Sequence, residues 1–283
     1  VDAHEAVPAV GSEDSGKLLM IMGTSICHML LGNTGQPVAG MCGVVEDGIL
    51  PGFFGYEAGQ SGAGDILAWF VRTFYPEAGT AIHEELEAQA ARLTPGESGL
   101  LALDWWNGNR SILVDASLSG MLLGATLDTT PVEIYRALIE ATAFGALTII
   151  NRFEEYGVEV TEVINCGGIA EKNPLLMQIY ADVTGREMKI SRSAQSCALG
   201  AAIAGAVVAG PRAGGYAGFA DAQAAMCGIK DITYKPIAQN HKVYQRLYSL
   251  YRKLHDAFGL RDSAGKLGSV MKDLLNIKDS VNA

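Results

Sequence analysis

Four short segments carry residue types suited to holding a phosphoryl group or a polyol. Gly167-Gly168 ends the apolar run Glu162-Val163-Ile164-Asn165-Cys166 and stands shortly before Asn173-Pro174, where a helix begins. Glycine lets a ligand approach backbone closely, and a helix N-terminus offers free N–H groups with a partial positive charge, so this segment suits a nucleotide. An ordinary strand–helix turn has the same composition. Gly23-Thr24-Ser25 is a tight turn between two apolar runs; its two hydroxyls and clustered N–H groups suit phosphate oxygens, or it is a plain hairpin. Asp2, beside small residues, could take a proton from a hydroxyl, although a lone carboxylate near a terminus is usually only a solvated charge. Glu57 and Gln60, in the glycine-rich stretch 51–64, either hydrogen-bond a polyol or cap the helix that follows.

The elements that must position these groups follow from pattern and punctuation. Residues 1–16 read as loop, with Pro8, Gly11, Ser12, Ser15 and Gly16. Apolar runs at 18–22 and 26–31 predict two strands joined by the Gly23 turn. Ile66, Leu67, Phe70, Val71 and Phe74 share one face of a helix over 65–75. A second helix is expected over 81–93, with Glu84, Glu85 and Glu87 as a solvated face. A strand at 99–103 leads into the loop Asp104-Trp105-Trp106-Asn107-Gly108-Asn109-Arg110, and a second polar-to-apolar stretch covers 117–124. Thr130, Pro131 and Glu133 mark the start of a long helix that Gly157 closes. Beyond it the pattern predicts strands at 162–166 and 187–190 and helices from 173 to about 183, from 197 to 209 and from 240 to 258. The 197–209 helix is so rich in Ala and Gly that it should pack closely on a neighbour. Strands first, then strands alternating with helices, predict an α/β layered structure.

The 283 residues suffice for one large domain or two modest ones, and 49% hydrophobic with 18% charged is a globular composition. With 21 basic and 31 acidic residues the net charge is −10. Such a chain has no general attraction for nucleic acid or anionic lipid, so any phosphate must be held by local geometry or a few placed cations. The five cysteines are odd in number, widely spaced and form no CxxC pair, which speaks against a disulfide framework or zinc site and for buried thiols in a reducing cytoplasm. No run of 18 apolar residues predicts a membrane span. The start, Val1-Asp2-Ala3-His4, is neither an initiator methionine nor a signal peptide and reads as part of something longer.

Taken in order, an Asp, a strand–turn–strand hairpin and a distant Gly-Gly turn resemble the second half of the actin-like, ribonuclease H-like ATP-binding superfamily. Nearly the whole chain is similar to the C-terminal half of the FGGY carbohydrate kinases. The carriers are Val1-Asp2-Ala3-His4, Met22-Gly23-Thr24-Ser25, the segment from Gly167 to Asp182, and Ser196-Cys197-Ala198-Leu199-Gly200-Ala201-Ala202. Within the family, Pro51 to Ser61 and Asp104 to Arg110 resemble the L-ribulose kinases. The resemblance implies a ribonuclease H-like domain, a mixed sheet flanked by helices, with residues 1–16 ending the N-terminal lobe and 17–283 forming the nucleotide-binding domain. It implies phosphorylation of a ketopentose by ATP with Mg²⁺, in arabinose catabolism, once the missing N-terminal lobe is supplied. Asp2 would be the base and, with Glu57, would touch the sugar. Gly23, Thr24, Ser25, Gly120, Gly167, Gly168 and either Lys172 or Asn173 would lie on the nucleotide, and no residue would be a dedicated metal ligand. Alternatives are a kinase for D-ribulose, D-xylulose or glycerol, or an actin-like nucleotide switch without a sugar; a homodimer is left open.

Overall fold

The computed structural model describes residues 2–282 apart from 12–13, 80, 261–262, 264–266 and 268–269. In chain order the elements are α1 (Asp2–Glu5), β1 (Lys17–Met22), β2 (Ile26–Gly32), β3 (Gly43–Glu46), β4 (Phe54–Gln60), α2 (Gly64–Phe74), α3 (Ile82–Ala90), β5 (Leu101–Leu103), β6 (Met121–Leu123) and α4 (Pro131–Glu155). There follow β7 (Glu162–Cys166), α5 (Gly168–Lys172), α6 (Pro174–Thr184), β8 (Met188–Ser191), α7 (Ser196–Ala209), α8 (Phe219–Met226), β9 (Ile229–Tyr234), α9 (Ala238–Gly259) and α10 (Val270–Asn282).

Seven strands form one mixed sheet in the order β3-β4-β2-β1-β7-β8-β9. β1 runs antiparallel to β2 and parallel to β7, and β7 is parallel to β8. The central strand is apolar on both faces because both faces are covered. Leu18, Met20 and Met22 pack into a large core with Phe70 of α2, Phe144 of α4, Met177 of α6 and Tyr251 of α9. Leu19 faces the other way, with Met29, Leu31 and Ile164, against Ala3, Ala6, Val7 and Val10. A mixed sheet between helices is therefore what the chain builds: the pattern of elements predicted the α/β layers, and the family resemblance implied the mixed sheet.

Local signals account for several boundaries. Thr130 and Glu133 form a reciprocal capping box at the start of α4: the Glu133 N–H donates to the Thr130 hydroxyl, and the Thr130 N–H donates to the Glu133 carboxylate. Asn173 caps α6 by accepting the Leu176 N–H at 2.7 Å, and Gly185 ends that helix in the left-handed conformation.

Other expectations need correction. Residues 2–5 are helical and Pro8–Val10 is a turn of 3-10 helix, where loop was expected, because Ala3, Ala6 and Val7 bury themselves under the sheet. Gly200 of α7 lies so close to this segment that an added Cβ would stand 1.5 Å from the Glu5 carbonyl oxygen, which explains the small residues of that helix. The stretch 54–60 is a strand and not a loop: its glycines leave room on the sheet faces, at Gly55 for the Ile49 side chain and at Gly59 for the Arg110 guanidinium. The cysteines are unpaired among the described residues, but only Cys166 is fully buried; Cys42 is exposed and the other three are half-buried. Burial pushes the Cys166 thiol up to about 12.

Candidate functional site

The parallel pair β1 and β7 ends on one side of the sheet, and both glycine turns emerge there. Ile21 pairs with Cys166, so Gly23 and Gly167 leave the sheet side by side. Gly167 has φ +95°, and an added Cβ would meet the Met22 carbonyl oxygen at 2.4 Å. Only glycine lets the two turns come so near. Gly168 has no neighbour within 4 Å of such a Cβ. Its backbone therefore faces open space. Ligands of open α/β sheets sit at such places, beyond the carboxyl ends of adjacent parallel strands.

That space is a cleft of about 820 Å³ lined by Gly23, Gly64, Leu67, Tyr135, Gly168, Ile169, Lys172 and Asn173, with His83, Glu84 and Glu87 of α3 at its far end. Its volume falls within the range of small-molecule sites. The hairpin is fixed from behind. The Gly23 carbonyl accepts the Gly64 N–H at 3.1 Å, and the Thr24 carbonyl accepts those of Ala63 and Asp65 at 2.9 and 3.2 Å. The first turn of α2 thus spends its otherwise unpaired donors on the hairpin. Thr24 is exposed and Ser25 half-exposed, so their hydroxyls stand at the surface.

On the opposite wall, Lys172 is exposed and Asn173 buried. Since the Asn173 oxygen is engaged by α6, its amide nitrogen is the end left for a ligand. The α3 end carries acceptors. Glu87 accepts the Leu175 N–H at 3.3 Å, and burial raises its carboxyl above the ordinary range. His83 Nδ1 lies 3.3 Å from the Tyr135 hydroxyl, and burial lowers its imidazole pKa. The solvated-face expectation holds for Glu85 but not for Glu87, which is half-buried in the cleft wall. Nothing in its spacing distinguished it, because α3 brings it to the cleft only through packing on α4.

The remaining expected residues divide. Asp2 belongs to α1, and Glu57 meets that helix through His4. Asp2 is exposed and accepts the Ala3 N–H at 3.0 Å. Burial and then the Asp2 carboxylate raise the Cys197 thiol, which places Asp2 beside α7. Glu57 lies 3.3 Å from His4 Nε2 in a smaller pocket of about 320 Å³ shared with Cys42 and Gly55. Gln60 is on the other side of the sheet. Strand alternation turns it away from Glu57 and into the core. There its amide nitrogen donates to Asp104 at 2.9 Å and to the Thr142 carbonyl at 2.8 Å, so it neither meets a polyol nor caps α2. Gly120 is also elsewhere. It presses on the Trp106 ring, which in turn packs on Trp69, and it does not line the cleft. Gln178 and Asp182 tie α6 to α9: Gln178 donates to Asp182 at 2.9 Å, and Asp182 accepts the Asn240 amide at 2.8 Å.

Known proteins share much of this sequence and its fold. The C-terminal domain of the FGGY family of carbohydrate kinases matches residues 18–209. The chain is 60% identical to a ribulokinase of Halalkalibacterium halodurans over 92% of its own length and 47% of that protein. It is 55% identical to a ribulokinase of Geobacillus thermodenitrificans, over 100% of this chain and 51% of the relative. The chain thus spans about half the length of the curated relatives it matches. Among solved structures, xylulose kinase from Rhodospirillum rubrum superposes with a TM-score of 0.78 at 25% identity, covering 91% of this chain and 51% of that one. Glycerol kinase of Plasmodium falciparum with ADP shares the fold at a TM-score of 0.70 and 18% identity, over 91% of this chain and 50% of its own. With its mixed sheet, its paired turns and this match over most of its length, the chain belongs to the FGGY family of carbohydrate kinases, as a C-terminal domain.

Proposed function

We propose that this chain is the nucleotide-binding half of a kinase that transfers the γ-phosphoryl group of ATP to the terminal hydroxyl of L-ribulose. The observation that carries this is the pair of turns, which meet one cleft through Gly23 and Gly168 beside Lys172 and Asn173, with Thr24, Ser25 and Gly167 adjoining but not lining it. The carboxylates of Glu84 and Glu87 repel phosphate, so the polyphosphate belongs at the hairpin end and the base at the α3 end. Gly23, Thr24 and Ser25 donate to phosphate oxygens, and Gly168 leaves room for the nucleoside. Gly120 acts behind this wall, by holding Trp106 in place.

The sugar belongs on the α1 face. Asp2 takes the proton of the attacking hydroxyl, and Glu57 accepts from a sugar hydroxyl. The choice of L-ribulose rests on the relatives named ribulokinase, and D-xylulose, D-ribulose and glycerol are the comparison substrates. Mg²⁺ would enter on the nucleotide's phosphates and screen their charge.

Catalysis here is positioning and charge stabilisation and requires a second lobe to exclude water. An N-terminal half fits against α7. That helix is apolar all round, yet only Ser196, Gly200 and Ile203 are buried, and α1 enters alongside it. No described helix is long and apolar enough to cross a membrane, and the proposed setting is the cytoplasm.

The test joins this chain to such an N-terminal half and measures ATP consumption with and without each sugar. Consumption that depends on L-ribulose above the other sugars is expected. Turnover indifferent to sugar would instead mark a nucleotide switch. Asp2→Asn should lower turnover by about 10²–10⁴-fold, and normal turnover would remove Asp2 from the mechanism.

A further inference from the structure

We propose that Arg110 supplies the positive charge that meets the γ-phosphoryl group as it passes from the cleft to the sugar. The inference rests on the reading that the cleft holds ATP and that Glu57 faces the acceptor.

The loop that follows β5 is tied down almost everywhere. Asp104 is buried and accepts from Gln60 and from the Tyr251 hydroxyl, each at 2.9 Å. Trp106 is wedged between Gly120 and Trp69. Asn109 accepts the Leu113 N–H at 2.9 Å and pairs through its backbone with Asp115. Held in this way, the loop projects Arg110 into solvent across the surface of β2 and β4. Its guanidinium lies over Gly59 so closely that an added Cβ there would stand 1.6 Å from Nη2. Nη2 donates to the Cys27 thiol at 3.7 Å. Arg110 takes part in none of the arginine ion pairs found among the described residues. A thiol is a weak acceptor, so most of the five guanidinium donors remain unspent.

The register of the sheet locates this charge. Cys27 pairs with Gly59. Glu57 is two residues from Gly59 on the same strand face, and the hairpin begins two residues before Cys27 in the other direction. At about 3.4 Å per residue, the strand position that the guanidinium covers lies roughly 7 Å along the sheet from each. It is therefore midway between the hairpin assigned to phosphate and the carboxylate assigned to the sugar. Asp2 and Glu57 make this face acidic, and an incoming polyphosphate needs a cation there. Lys172 lies in the cleft on the opposite wall. A planar guanidinium with unspent donors suits the equatorial oxygens of a terminal phosphoryl group.

The experiment measures calorimetric binding of MgADP and of the non-hydrolysable MgAMP-PNP to this chain and its variants. Arg110→Gln should weaken AMP-PNP by roughly 10- to 100-fold while leaving ADP within about twofold. Arg110→Lys should fall between. Gly59→Ala retains the charge but displaces the guanidinium, and should lose AMP-PNP selectively as well. Equal weakening of both nucleotides would mean that Arg110 only supports the sheet, and unchanged AMP-PNP affinity would equally overturn the proposal. If the unaltered chain binds neither nucleotide, the nucleotide reading of the cleft fails and this assignment falls with it.

Discussion

The adjacent glycines of the second turn should separate stability from binding. Gly167 has φ +95° and ψ 166°, a region that glycine alone occupies freely. Forcing alanine into it costs about 1–3 kcal/mol. The new Cβ would also meet the Met22 carbonyl oxygen, carbon and nitrogen at 2.4, 3.0 and 3.1 Å. These atoms belong to the central strand and cannot swing aside, which adds about 1–3 kcal/mol of overpacking. Gly167→Ala should therefore lose about 2–6 kcal/mol, a fall of roughly 5–20 °C in the unfolding midpoint. Gly168 has an ordinary φ and open space at its Cβ, on the first turn of α5. Gly168→Ala should leave the midpoint within about 2 °C, since such changes move stability by only tenths of a kcal/mol. The methyl group would nonetheless stand where the nucleoside must approach, and MgADP affinity should fall about tenfold or more. Thermal unfolding by circular dichroism and calorimetric titration give the two readouts. Wild-type affinity in Gly168→Ala would refute the idea that the open backbone there receives a ligand. An unchanged midpoint in Gly167→Ala would refute the argument from close approach.

Three further outcomes follow from buried polar groups. Burial lifts the Asp104 carboxyl to about 6 despite donors from Gln60 and Tyr251, so its folded form holds a proton that the unfolded chain releases nearer 4. Its stability is complete below pH 4 and fades as pH rises through 6. Urea denaturation should show wild type losing about 3 kcal/mol relative to Asp104→Asn between pH 4 and 7. Burial lowers His28 to about 4, which acts in the opposite sense: stability present above pH 6.5 is lost on acidification towards 4, and His28→Gln should flatten that limb. The buried pair Arg136–Glu140 is 2.8 Å apart; it is completed by Tyr244 and holds the end of α3 through the Ala90 carbonyl. Glu140→Ala should cost about 3–5 kcal/mol in urea melts by stranding a buried guanidinium.

The residues whose role depends on local backbone were readable in advance. Gly167, Gly157, Asn173 and Thr130 each announce a turn or cap by type and spacing, and each sits where that chemistry requires. Residues whose role depends on which way a strand faces were not. Glu57 and Gln60 look alike in a glycine-rich stretch, and only the pairing of β4 with β2 sends one to the surface and the other into the core. β3 and β9 were missed because they are edge strands that bury little, so their apolar pattern is faint. Glu87, His83 and Tyr135 reach the cleft through the packing of α3 on α4, a contact between segments far apart in sequence and invisible to periodicity. Arg110 is the opposite case. It stood within a conspicuous motif, but its exposure over Gly59 is a fact of three dimensions.

The most direct measurement is the amide spectrum of the ¹⁵N-labelled chain titrated with MgADP and then MgAMP-PNP. Saturable shifts at Gly23, Thr24, Ser25, Gly168, Lys172 and Asn173, with little change around Lys242, Arg246 and Asp273 on the far side, are predicted. A spectrum unmoved at both turns, or shifts centred on that distant surface, would contradict the assignment of the cleft to a nucleotide.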